Sequence, residues 1–266
     1  MKRIVAFPYI GGKVKMKEKI YELIPEHKVW CEPFLGGASI TLNKKPSMVE
    51  VINDVNNDIV DFFLTVKNHH DEIYDYLLNI PYSRYLYQET LKKWKTGWRP
   101  TKKIEKVAIW FFLQRASFSG TFGRGFGCSG VRNPAASFSL SVDNLFKIRD
   151  RLRKVIIENK DYGEIISFFD SENTVFYLDP PYWIDQKVVN DYYPGGQNFD
   201  HYRLADILNK IKGKAILSYY EHPELEKLYS TWNKKVYNMV KSSVGIKVHQ
   251  TNTTRPKSQE ILYFNF

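Results

Sequence analysis

Thr174-Val175-Phe176-Tyr177-Leu178-Asp179-Pro180-Pro181-Tyr182 is the stretch on which the reading of this chain turns. Its first five residues are uncharged and rich in β-branched and aromatic side chains, so they read as a buried strand. The two prolines end it, because each fixes φ and lacks an N–H for a ladder. Similar apolar runs recur at Val29 to Cys31, Met48 to Ile52, Val155 to Ile157, Ala215 to Tyr219, Val236 to Val240 and Ile261 to Phe264. Between most of them lies helical spacing, as in Ile59, Phe62, Phe63 and Val66, or Leu204, Ile207, Leu208 and Ile211. The alternation predicts an α/β chain with a mainly parallel, doubly wound sheet of about seven strands.

The rhythm breaks between 56 and 152, where the pattern is helical only, as in Ile104, Val107, Ala108, Phe111 and Phe112. This interval reads as an insertion in a domain made of 1–55 and 153–266. Four glycines among aromatics in Ser117 to Gly127 predict a hairpin near 117–140 with positive-φ positions. Gln186 to Asn198, with its Pro-Gly-Gly, reads as a long loop.

The chain has 266 residues and a net charge of +10. At 43% hydrophobic and 26% charged it excludes disorder, collagen and coiled coil. Two cysteines, Cys31 and Cys128, make neither a disulfide framework nor a four-ligand zinc site, so a reducing compartment is expected. His69, His70 and His201 lack metal-ligand spacing and read as surface or capping residues, and no metal is expected. No signal-like or membrane-spanning run is seen, which predicts a cytoplasmic protein. Eleven Lys and Arg against Glu89 and Glu105 between Arg84 and Arg132 give that stretch of the insertion a charge of +9. Basic charge interleaved with aromatics suits phosphate and base contacts.

Three motifs suggest a site. Glu32-Pro33-Phe34-Leu35-Gly36-Gly37 follows the first strand and leads towards a helix. Small residues there let backbone approach a nucleotide, although a turn with no ligand has the same pattern. The full G-x-G-x-x-G spacing is absent, which argues against a dinucleotide oxidoreductase. Asp54, at the end of the second strand, is placed to bind both hydroxyls of a ribose or to cap the next helix. In Asp179-Pro180-Pro181-Tyr182, the carboxylate and the Pro180 carbonyl can accept the two N–H groups of an exocyclic amine. Tyr182 offers a flat face for a base. Held so, an amine is poised to attack an electrophilic methyl group directly.

In these motifs the chain resembles the DNA adenine methylase family of S-adenosylmethionine-dependent N6-adenine methyltransferases. Phe7-Pro8-Tyr9-Ile10-Gly11-Gly12-Lys13 resembles the family's opening motif, Asn159-Lys160-Asp161-Tyr162 a later cofactor motif, and Asp179 to Tyr182 the catalytic motif. Phe199-Asp200-His201, the Ala215 to Tyr219 strand and Glu260-Ile261-Leu262-Tyr263 also agree in order. The resemblance implies a Rossmann-like methyltransferase sheet with a helical target-recognition insertion. It implies S-adenosylmethionine held by Tyr9, Lys13, Glu32, Phe34, Gly36, Asp54, Asp161, Tyr162 and Asp179. Catalysis falls to Asp179, Pro180, Pro181 and Tyr182, acting on an adenine flipped out of duplex DNA.

Gripping of DNA is expected from Lys92, Lys93, Lys95, Arg115, Arg124 and Arg132. Arg124 suits either guanine readout or a phosphate. Thr121-Phe122-Gly123-Arg124-Gly125-Phe126-Gly127 departs from the hairpin of members that read GATC, which argues against that specificity. Neither cysteine follows a proline, which disfavours methylation at cytosine carbon 5. Cytosine N4, an RNA adenine and an inactive DNA-binding protein of the same fold stay as alternatives. A monomer is expected, with a cognate restriction endonuclease as an open partner in a bacterial or phage-infected cell.

Overall fold

A computed structural model describes residues 3–9, 12, 13, 16–183, 199–240 and 257–266. Ile10, Gly11 and the stretch 186–198 expected to be a long loop lie outside the described residues.

Among the described residues, seven strands form one sheet: β1 Val29–Glu32, β2 Val49–Asn53, β3 Val155–Glu158, β4 Thr174–Leu178, β5 Lys214–Tyr220, β6 Asn233–Val240 and β7 Lys257–Phe264. Their order is β3-β2-β1-β4-β5-β7-β6, and only β7 runs against its neighbours. All seven apolar runs are therefore strands. β6 and β7 start earlier than their apolar patterns, because polar residues pair across the two strands, Lys234 and Lys235 with Tyr263 and Leu262, and Gln259 with Asn238. Strand order reverses between β1 and β4, and doubly wound sheets open a crevice beyond the carboxyl ends of the strands at such a point.

Alternation along the strands builds two faces. Phe176, Leu178, Ala215 and Leu217 pack with Ile165 and Ile166 of α8 (Tyr162–Phe169), Leu204 and Leu208 of α9 (His201–Leu208), and Leu225 of α10 (Pro223–Leu228). Trp30, Val175, Tyr177 and Ile216 face the other way, onto Ile20 of α1 (Lys17–Tyr21). β4 is buried along its whole length, as its uncharged sequence requires.

The interval 56–152 folds into α2 (Asn57–Asn68), α3 (His70–Leu78), α4 (Arg84–Lys95), α5 (Lys103–Ala116), α6 (Pro134–Asp143) and α7 (Leu145–Leu152). It shares one apolar cluster with the sheet: Ala6, Phe7, Leu35, Ile52 and Val155 pack with Phe62, Phe63, Phe111 and Ile148. Arg151 of α7 donates to Glu50 of β2, which also takes Lys44 at 2.7 Å. The hairpin is shorter than expected. Ser117 pairs with Phe126, Gly127 N–H donates to the Ala116 carbonyl at 2.7 Å, and α6 already begins at Pro134. Pro134 at the first turn and Asn133, which accepts from Ala136 N–H, start that helix in sequence that reads as loop. No helix among the described residues is long and apolar enough to cross a membrane.

Candidate active site

The carboxyl ends of β1, β2 and β3 are tied together by Asn53. Its amide donates to the Pro33 and Lys160 carbonyls, both at 3.0 Å, and its oxygen accepts from Lys160 N–H at 2.8 Å. Asp54, the next residue, accepts from Gly36 N–H and from Asn56 N–H, each at 2.9 Å. Asn56 itself caps α2, so Asp54 braces the glycine turn and the helix start rather than capping the helix directly. Burial raises the Asp54 pKa against the two N–H groups that lower it. Gly36 sits at φ +46°, and a Cβ there would lie 3.0 Å from the Tyr9 ring. Only glycine lets the turn and the Tyr9 loop lie this close.

These groups line one cleft of about 650 Å³. Its walls include Tyr9, Lys13, Glu32, Phe34, Gly36, Asp54, Asp161, Tyr162, Asp179, Pro180 and Pro181, so every expected cofactor residue is brought together. Phe34, Tyr162 and Phe199 form an aromatic corner with ring centroids 5.3 to 5.6 Å apart. Asp161 caps α8 through Gly163 N–H and pairs with Arg203, whose guanidinium lies 4.7 Å from the Tyr162 ring centre. Glu32 is buried and accepts from the Thr41 hydroxyl and N–H. Burial first, and the Asp179 charge among lesser causes, push its pKa up to about 8, so it carries a proton at neutral pH.

Asp179 follows β4 and keeps 22% of its side chain exposed. Lys13 Nζ lies 2.7 Å from its Oδ1 and 3.2 Å from Glu260 Oε1. Burial raises the Asp179 pKa and Lys13 opposes the rise. Tyr182 departs from the expected open stacking face. It is 6% exposed, is not among the cleft walls, and has its hydroxyl 2.9 Å from Ser218 Oγ and donating to Glu260 Oε1 at 3.0 Å. A phenol that buries its ring must place its hydroxyl on a partner, and β5 and β7 supply one here. Lys13 Nζ sits 4.7 Å from the Tyr182 ring centre.

The insertion closes the far side of the cleft with Trp94, Trp110, Gln114, Gly120, Thr121 and Phe122. Gln114 links the two halves, its amide donating to the Pro8 carbonyl at 2.5 Å and the Gly120 carbonyl at 3.1 Å. Lys92, Lys93 and Lys95 are exposed at the end of α4, and Arg124 and Arg132 are exposed beyond α5. Arg115 differs. It is half-buried and donates to the Ser137 carbonyl, and its burial lowers its pKa to about 10. Lys103 and Lys106 meet Asp58 and Asp61 of α2, so the sequence count of +9 exceeds the charge the insertion presents outward.

Asn53, Gln114, Phe199, Ser218 and Glu260 are site or bracing residues to which the sequence assigns no role. His201 is neither at the surface nor simply a cap: it stacks on Trp183 at 4.6 Å, with burial drawing its pKa down to about 4. No group of three or more His, Cys, Asp or Glu able to hold a metal occurs among the described residues.

The cleft suits a nucleoside-bearing donor on three observations. A braced carboxylate stands at a strand end, a glycine turn leaves no room for a Cβ, and the buried Tyr177 hydroxyl on the cleft wall has no hydrogen-bond partner among the described residues. The chain is 25% identical to the Type II methyltransferase M.FokI of Planomicrobium okeanokoites over 97% of its own length, spanning 42% of that relative. It is 23% identical to the Type II methyltransferase M1.LlaDCHI of Lactococcus lactis subsp. cremoris, covering 97% of this chain and 94% of the relative. To the DNA adenine methylase of Haemophilus influenzae it is 21% identical, over 94% and 88% of the two chains. The model of the D12 class N6 adenine-specific DNA methyltransferases matches residues 9–246, and the chain belongs to that family.

Proposed function

We infer that this site methylates the exocyclic N6 of adenine in duplex DNA, at a defined sequence, with S-adenosylmethionine as donor. The observation that carries the reading is the cleft itself: the amine-accepting pair Asp179 and Pro180 opens onto the same space as Asp54 and the Gly36 turn. S-adenosylmethionine, when bound, supplies an electrophilic methyl group on a sulfonium. Asp54 and the Gly36 backbone would hold its ribose, and the Phe34 and Tyr162 rings its adenine.

Asp179 accepts one amine hydrogen and Pro180 the other, which fixes the nitrogen and favours the positive charge it develops. Pro180 and Pro181 contribute stiffness and a carbonyl with no competing N–H of their own. Tyr182 braces the surroundings of Asp179 through Glu260 and Ser218, and stacking of the target base requires its ring to become accessible. Exposed Lys92, Lys93, Lys95, Arg124 and Arg132 supply the phosphate-binding face, while Arg115 serves mainly to hold α5 against α6.

The Type II names of two relatives support a cognate restriction endonuclease acting on the same site. A monomer acting in the cytoplasm is the simplest form of this reading. Incubation with labelled methyl donor and DNA tests it. Label recovered as N6-methyladenine is expected; label in RNA alone, or at cytosine N4, would move the function to those substrates.

A further inference from the structure

Glu260 lies on β7, 78 residues beyond Tyr182, yet one of its oxygens is the meeting point of the catalytic loop. Glu260 Oε1 accepts from Tyr182 (3.0 Å), from Ser218 of β5 (2.9 Å) and from the Lys13 ammonium (3.2 Å), in a side chain only 10% exposed. The same ammonium touches Asp179 Oδ1 at 2.7 Å. One buried cation thus stands between two carboxylates.

We propose that Glu260 is the positioning residue of this active site: by sharing Lys13 with Asp179 and anchoring Tyr182, it keeps the Asp179 carboxylate from being consumed by a private ion pair and leaves an oxygen for the amine. This assignment rests on the methyl-transfer reading above and deepens it. A lone Lys–Asp pair would lock the two groups together, because the Lys13 ammonium is buried and would have no other anion to turn to. A second carboxylate on the far side of the ammonium weakens that lock. It also fixes Tyr182 by its hydroxyl, and a shift in that ring would carry the Asp-Pro-Pro loop with it.

Among the described residues, the charged and titratable groups around Asp179 are Lys13 from the opening loop, Glu32 from β1, Tyr177 and Tyr182 from β4 and its loop, Tyr219 and Tyr220 from β5 and Glu260 from β7. Of these Glu260 is the anion whose charge most raises the Asp179 pKa, and Lys13 is the cation that lowers it. Neutralising Glu260 therefore moves Asp179 down.

The test is Glu260→Gln, which keeps an acceptor oxygen and removes the charge, beside Ser218→Ala, which removes one donor and no charge. Selective carboxyl-carbon NMR titration of Asp179, read without donor or DNA, is expected to move to lower pH in Glu260→Gln and to stay in place in Ser218→Ala. In turnover, Glu260→Gln is expected to lose about tenfold or more in kcat with KM for DNA nearly unchanged, and its acid limb to move the same way as the titration. An unmoved Asp179 titration with wild-type kcat in Glu260→Gln would overturn the proposal. Loss of melting temperature with an unmoved titration would also overturn it, leaving Glu260 only a structural role. If the wild-type protein transfers no methyl group at all, the methyl-transfer reading fails instead, and the two failures are distinguishable.

Discussion

Asp179 must be ionised to accept the amine, and burial raises its pKa from the ordinary 3.8. The acid limb of kcat against pH is therefore expected above the ordinary aspartate value, with activity lost as pH falls through the raised pKa. Asp179→Ala should reduce methyl transfer by about a thousandfold or more while DNA binding, read by anisotropy, stays within a fewfold. Glu32 gives a second titration with the opposite reach. Its folded pKa of about 8 exceeds the ordinary 4.5, so the native state holds the proton more tightly than the unfolded chain. The stability this confers is full below pH 4.5 and is lost as pH rises through 8. Melting temperature measured across that window should fall less steeply in Glu32→Gln. Equal slopes for the two proteins would remove Glu32 as the source.

Among the elements, the strand ends are legible in the sequence and their braces are not. Thr174 to Leu178 announces a buried strand because nothing polar interrupts it, and Asp179-Pro180-Pro181-Tyr182 announces a site because its residue types are costly to bury without purpose. Asn53 carries no such signal: an asparagine after a strand reads as turn chemistry, and only the fold shows it bonding to Pro33 and Lys160 together. Asn53→Ala leaves those groups without their partner and should cost about 2–3 kcal/mol, lowering the melting temperature by roughly 5–10 °C. The burial of Tyr182 is invisible in the sequence because its partners Ser218 and Glu260 are 36 and 78 residues away. Arg115 resembles the exposed cations around it because its carbonyl partner at Ser137 belongs to a helix hidden in loop-like sequence. The turn after α5 and the opening loop meet at Gly120, where φ is +72° and a Cβ would lie 2.4 Å from Pro8. Gly120→Ala must push Pro8 aside. It should raise the apparent Kd for donor and the KM for DNA together, and a change confined to DNA would separate the two loops.

For the whole molecule, the strand ends at the sheet's reversal point and the insertion line one cleft, the insertion through Trp94, Trp110, Gln114, Gly120, Thr121 and Phe122. The two parts share one apolar core, so the insertion is fixed relative to the strand ends rather than tethered to them. Replacing Lys92, Lys93 and Lys95 by Ala should weaken binding to all duplexes alike. The slope of log K against log salt should fall by about 0.9 for each phosphate that is no longer neutralised, and an unchanged slope would show that α4 faces away from DNA. The site as a whole is tested most directly by product analysis. Wild-type and Asp179→Ala proteins are incubated with labelled S-adenosylmethionine and duplex DNA, and the DNA is digested to nucleosides. N6-methyladenine from the wild type and none above background from Asp179→Ala is the expected result, whereas label at cytosine, or equal N6-methyladenine from both proteins, would contradict it.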